Sequence, residues 1–151
     1  MSGYRRLLIT ATFAIALLLI AASMALAAGG RPFVVGLSGG TGGDPDGTGT
    51  ALLRVNPGNQ AICYTITVSN IGQPTEPGAG LGAAHIHDYA TTGIFVDLET
   101  NWTATTSGFM TTGCTDADRG ALIALLRDPS GYYVNIHTVD YPGGAIRGDL
   151  R

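Results

Sequence analysis

Three histidines carry the chemistry this chain could perform. His85 and His87 stand one residue apart in "AAHIHDYA" (83–90), and His137 lies in "YYVNIHTVDYPGGAIRGDL" (132–150); there is no fourth. In an extended strand residues i and i+2 share a face. His85 and His87 therefore project together, with Ala84 and Ile86 on the opposite side. If the segment bearing His137 lies alongside, three imidazole nitrogens converge. Such a set suits copper, zinc or nickel, and three protein ligands with one position free is the open rather than the closed type of site. The competing reading is structural: three histidines, hydrogen-bonded or at the surface. Metal binding needs neutral imidazoles, so on the first reading it fades on acidification.

Short β-type runs punctuated by turn residues must position these side chains. The pattern predicts strands at "PFVVGL" (32–37), "TALLRV" (50–55) and "AICYTITVS" (61–69). "GGTGGDPDGTG" (39–49) reads as a loop, and "NPGNQ" (56–60) as a tight connection. In 61–69, Ile62, Tyr64, Ile66 and Val68 share one face while Cys63, Thr65 and Thr67 take the other, the alternation of a half-buried strand. After a long loop (70–82) come the "AAHIH" strand and "GIFVDLE" (93–99). One helix is expected over 115–131: Thr115 with Asp118 makes a capping-box-like start, Leu122, Ile123, Leu125 and Leu126 form an apolar stripe, and Pro129 with Gly131 stops it. "YYVNIHT" (132–138) and "GAIRGDL" (144–150) form a closing pair. No internal repeat or second domain is evident.

The 151-residue chain opens with Arg5 and Arg6, an uncharged apolar stretch from Leu7, and small residues at Ala25-Leu26-Ala27. This is the anatomy of a signal peptide, 1–27, cleaved near Ala27. An uncleaved membrane anchor is the alternative, since the stretch is just long enough to span a bilayer. Residues 28–151 then form one domain, exported to the periplasm, the cell surface or the medium. Losing Arg5 and Arg6 takes the net charge from −3 to −5, and the chain has no lysine. That surface is a poor match to a phosphate backbone, so nucleic acid is excluded as a partner. Membrane contact is expected only if the N-terminal segment stays attached. In an exported chain, Cys63 and Cys114 are most simply a disulfide. As metal ligands they lack CxxC spacing.

"AAHIH", then "GIFVDL", then a Leu-rich helical stretch and "GYYVNIHTVDYPGGAIRGDL" together resemble the CHRD domain, a family first named in chordin. "GTGTALLRV" and "CYTITVSNI" are similar to its early strands, so the resemblance spans about residues 33 to 150. It implies an extracytoplasmic β-sandwich module. Two residues depart from the family pattern: Asp88 where glycine is usual after the second histidine, and Ala145 where an acid is usual. The first bears on the loop beside the histidine pair, and the second removes a carboxylate. A weaker similarity links "HIH" with "VNIHTVDYPGGAIRG" to the copper half of copper/zinc superoxide dismutases. By that resemblance His85, His87 and His137 are copper ligands and Arg147 attracts an anion near the metal. The fourth copper histidine and the zinc ligands are missing.

The expected architecture is all-β: an antiparallel Greek-key-type sandwich, immunoglobulin-like or superoxide-dismutase-like, with one short helix. The expected function is an exported binding module holding one transition metal, copper favoured. The alternatives are a metal-free adhesive or protein-interaction module, partnered by an extracellular protein, and a copper-dependent dismutase-like oxidoreductase. No triad order, phosphate loop or pair of glutamates points to another enzyme class. Lesser signals are the Asp44-Pro45-Asp46-Gly47 turn, which lacks the later ligands of a calcium loop, the sequon at Asn101, and Arg147-Gly148-Asp149, which reads as the end of the last strand. Tyr132, Tyr133 and Tyr141 either line a groove or pack across strands.

Overall fold

The structure, a computed structural model, describes residues 29–75, 81–98 and 101–151. The segment 1–27 that reads as a signal peptide, Ala28, residues 76–80, and Glu99 and Thr100 lie outside the described residues. The described chain forms nine antiparallel strands and one α-helix: β1 Arg31–Ser38, β2 Thr48–Asn56, β3 Ala61–Ser69, β4 Ala84–Asp88, β5 Ile94–Asp97, β6 Thr103–Thr105, β7 Gly108–Asp116, α1 Arg119–Arg127, β8 Tyr132–Ile136 and β9 Ile146–Asp149. The expected all-β class with a single short helix is what is found.

The strands run in the order β5-β4-β8-β9-β1-β2-β3-β7-β6. Two halves are joined at a seam, where β1 and β9 share one register pair, Ser38 opposite Arg147. Beside it the backbones come very close. A Cβ added to Gly148 would sit 2.0 Å from the Gly36 carbonyl oxygen, so only glycine fits there. Period-2 apolar residues of β1, β2 and β3 (among them Val35, Leu53, Ile62 and Ile66) form one core with Ile86, Val134, Ile136 and Ile146 of the other half. Burying that many branched side chains is the main stabilising term, at ~1.5–3 kcal/mol each.

The predicted strands and the turn at Pro57-Gly58 are present, with β3 spanning 61–69 as expected. Two features differ from expectation. Residues 103–105 and 108–116 are strands that the sequence pattern did not reveal, because "GFMTTGCTD" has almost no apolar alternation. Its inward positions are Thr111, Gly113 and Thr115, opposite Ile66, Tyr64 and Ile62. Gly113 leaves room for the Tyr64 ring, whose hydroxyl would lie 2.7 Å from an added Cβ. Consequently the helix does not start at Thr115, which is a buried strand residue. Pairing with β3 outweighs the cap signal, and Asp118 is the N-cap, accepting from the Ala121 N–H at 2.9 Å. The helix buries Leu122 and Leu125 and ends before Pro129.

Cys63 and Cys114 form a disulfide, with Cα atoms 3.9 Å apart. They are directly opposed on β3 and β7. The bridge therefore does not tie the helix to the sheet. It staples two neighbouring strands, because Cys114 belongs to β7 and not to a loop before the helix.

The bridge spans a sequence separation of 51 residues, for which the chain-entropy relation gives about 4 kcal/mol. Intact mass of the non-reduced protein should be lower by two hydrogens. Cys63→Ser with Cys114→Ser should lower the free energy of unfolding in urea by roughly that amount. An unchanged urea midpoint would show that strand pairing alone holds this region.

Candidate metal centre

β4 and β8 pair antiparallel, with Ala84 opposite Ile136, His85 opposite Asn135, and His87 opposite Tyr133. Ala84 and Ile86 enter the core, as the alternation predicts. His85 and His87 take the other face, and His137 follows directly after β8, its N–H bonded to the Ala83 carbonyl at 2.9 Å. The three rings meet there. Centroids are 5.0 Å apart for His85–His137, 5.6 Å for His85–His87 and 6.2 Å for His87–His137. One ligand atom from each lies within 4.8 Å of the other two. Atoms bound at ~2.0–2.1 Å to one ion sit at most about 4 Å apart, so closure onto an ion needs roughly 1 Å of side-chain motion.

This face differs from the outer face of β1–β3, which is open to solvent. His85 is fully buried, and His87 and His137 are 9% and 5% exposed. Loop backbone covers them, and its carbonyls set the rings. His87 Nδ1 lies 3.2 Å from the Thr92 oxygen, and His137 Nδ1 lies 2.9 Å from the Pro142 oxygen. A carbonyl only accepts, so each Nδ1 carries the hydrogen and donates it, which leaves Nε2 as the basic nitrogen. His137 Nε2 accepts from the Asn135 amide at 3.3 Å, and the same amide donates to the Gly143 oxygen at 3.2 Å. Gly144 backs this amide at φ 124°, where an added Cβ would overlap the Asn135 side chain.

His85 is the exceptional member. Both ring nitrogens are buried without a hydrogen-bond partner, and so is His87 Nε2. Each such atom costs about 1–3 kcal/mol, and a native structure rarely leaves one without a reason. The nearest charge to His85 is Asp97, with Oδ1 3.9 Å from Nε2. Both Asp97 oxygens accept from the Gly82 N–H at 3.0 Å. Burial, then repulsion from His137, pushes the His85 pKa down to about 4 against the pull of Asp97. At neutral pH the ring is therefore uncharged and its contact with Asp97 is not an ion pair. Burial also lowers the pKa of His137. Uncharged imidazoles are the state a metal requires; His85 and His87 have lone pairs free for it, and His137 Nε2 would exchange its bond from Asn135 for the ion.

The other singled-out residues separate. Tyr133 stacks on His87 at 5.1 Å and 12°, and Tyr89 packs on Tyr133 at 4.5 Å. Tyr132 instead packs against Phe95, and Tyr141 serves through its backbone oxygen, which accepts from Gly144. Arg147 is opposite Asn135 on β9, with its guanidinium 6.0 Å from the Tyr133 ring centroid. Arg147-Gly148-Asp149 is strand, not a displayed loop, and the Asp149 carboxylate is held by the Tyr89 hydroxyl at 2.6 Å and by Arg151 at 2.7 Å rather than by Arg147. Asp88 shapes the turn that carries Thr92: its side chain accepts from Ala90 N–H at 2.7 Å and its carbonyl from Thr92 N–H at 2.7 Å. Ala145 is a fully buried methyl group. Asp44–Gly47 closes as a turn, with the Gly47 N–H on the Asp44 oxygen. Asn135, Thr92, Pro142 and Tyr89 were not picked out from the sequence. Only Asn135 had a signal, its i, i+2 relation to His137.

The fold and site define an antiparallel β-sandwich that buries a three-histidine cluster under loops on the outer face of its smaller half. Residues 33–150 match the model of the CHRD domain, and the chain belongs to that family. No match was found among curated proteins or among solved structures.

The His85 shift has a consequence for stability. The unfolded chain takes up this proton near pH 6.5, the folded metal-free chain only near pH 4. Between these values the unfolded state binds more protons, so stability is complete above pH 6.5 and falls as the pH drops through the window. For His85 the loss is about 3 kcal/mol, and His137 adds to it in the same direction. Urea midpoints of chelator-treated protein should fall accordingly between pH 7 and 4.5, and the fall should be smaller in His85→Leu. A flat profile in both would contradict the buried, unpartnered imidazole.

Proposed function

We propose that this chain is an exported single-domain β-sandwich module that holds one transition-metal ion, copper favoured, through His85, His87 and His137. The observation that carries this reading is the His85 ring, fully buried with neither nitrogen partnered, inside a group whose ligand atoms lie within 4.8 Å of one another. An all-imidazole set suits copper, which also stands highest in the divalent affinity order. The carbonyl bonds to His87 and His137 supply the outer support usual for metal-bound histidine. Arg147 lies on the same face and draws anions toward the ion. The disulfide fits an oxidising compartment, and carriage or buffering of metal in the periplasm or outside the cell is the role that follows. With a free fourth position, copper would also support dismutase-like redox chemistry, which a superoxide assay on copper-loaded protein separates from simple carriage.

Copper titration of the chelator-treated full chain should show one site, and His85→Ala and His137→Ala should each weaken it by more than ~100-fold. An affinity unchanged in His137→Ala would mean that His85 and His87 merely chelate as an adjacent pair. Because burial holds the His85 and His137 pKa values below that of a free imidazole, protons compete late. Copper should be retained at pH 6 and released near pH 4. Complete release by pH 6 would indicate ordinary surface imidazoles and contradict the site.

A further inference from the structure

The seam between β1 and β9 opens outward into a groove of about 520 Å³, lined by Val34 and Gly36 on one side and by Tyr89, Arg147, Asp149 and Arg151 on the other. Its chemistry contrasts with the rest of the molecule. The domain is acidic and has six arginines after the N-terminal segment, yet two of them converge here. Asp149 does not cancel both. One of its oxygens accepts from the Tyr89 hydroxyl and the other pairs with Arg151. Arg147 is exposed and makes no hydrogen bond or ion pair among the described residues; its guanidinium rests near the Tyr133 ring and within 4 Å of a Cβ built on Gly40. The floor is bare backbone: nothing lies within 4 Å of a Cβ added to Gly36. At one end Val34 is 72% exposed, an apolar contact facing an otherwise polar wall.

We propose that this groove binds a carboxylate carried on a saturated ring, of the hexuronic-acid type, with Arg147 as the recognising fork. A planar guanidinium matches a carboxylate with two parallel N–H···O bonds, and Arg151 has donors left beyond its bond to Asp149. The glycine floor lets the ring approach the strands closely, its C–H face meets Val34, and the Tyr89 edge limits it laterally. The volume lies within the range of sites for small organic ligands. This site needs no metal ion and includes no histidine; it shares only Arg147 with the metal reading.

Calorimetric titration of the full chain, with chelator present to exclude binding at a metal, tests it with galacturonate, neutral galactose and inorganic sulfate. Galacturonate should bind, galactose should not, and sulfate should bind at least tenfold more weakly than galacturonate. Arg147→Gln should weaken galacturonate at least tenfold. Gly36→Val fills the floor where there is space for it and suits a strand, so the variant should keep the thermal midpoint of the parent and lose galacturonate binding. The proposal is overturned if galacturonate does not bind up to roughly 10 mM, if galactose or sulfate binds as well as galacturonate, or if a folded Arg147→Gln or Gly36→Val variant retains the parental affinity.

Discussion

The pairing of β4 with β8 is the constraint on which the site depends. It sets His85 against Asn135 and His87 against Tyr133, and it delivers His137 to the same face one residue after β8 ends. Strand side chains alternate, so a slip of one residue would send His85 and His87 into the core and Ile86 out of it. The core packing of Ile86, Val134 and Ile136 therefore holds the register that the histidines need. Apolar burial on one face and convergence of imidazoles on the other are consequences of a single pairing.

What distinguishes this face from the rest of the sandwich is its cover. β1, β2 and β3 alternate buried and open residues, whereas β4 and β8 are buried on both faces. Loop backbone contributes to that cover through the Thr92 turn, the Pro142–Gly144 loop, and Thr75, whose N–H bonds the His137 oxygen at 3.0 Å; the Tyr133 ring and the Asn135 side chain contribute the rest that touches His87 and His137. Carbonyl groups cannot donate, so they determine which nitrogen of His87 and His137 carries hydrogen. Loop burial also removes water from His85, keeping its ring uncharged in a protein whose net charge is negative. Dehydration and tautomer selection come from the same loops.

The chain reaches the same face by a second route at the seam. β9 carries Arg147 opposite Asn135 and Asp149 opposite Tyr133, and aromatic stacking runs from His87 through Tyr133 to Tyr89. The backbone contact at Gly36 and Gly148 brings β1 close to β9 while leaving the space outside Gly36 open. The disulfide lies away from this face, where β3 and β7 supply few apolar side chains to hold their outer surface.

The sequence alone determined the class of the protein, the β3 alternation, the pairing of HxH side chains on one face and the closing segments that carry His137 and Arg147, because period-2 patterning and turn residues are local signals. The family pattern was equally legible, since it rests on contiguous motifs. β7 was not: its inward positions are threonine and glycine, whose burial depends on Tyr64 and β3 across the sheet. Nor was the helix start, since Thr115 and Asp118 both suit a cap and only strand pairing decides between them. That Cys63 and Cys114 bond was an inference from compartment and number; that they staple adjacent strands was decided by register. The burial of His85, the carbonyl partners of His87 and His137, and the groove at Gly36 are tertiary decisions. Each requires segments far apart in the chain to be brought within a few ångströms, and nothing in the local pattern records the solvent that those contacts exclude.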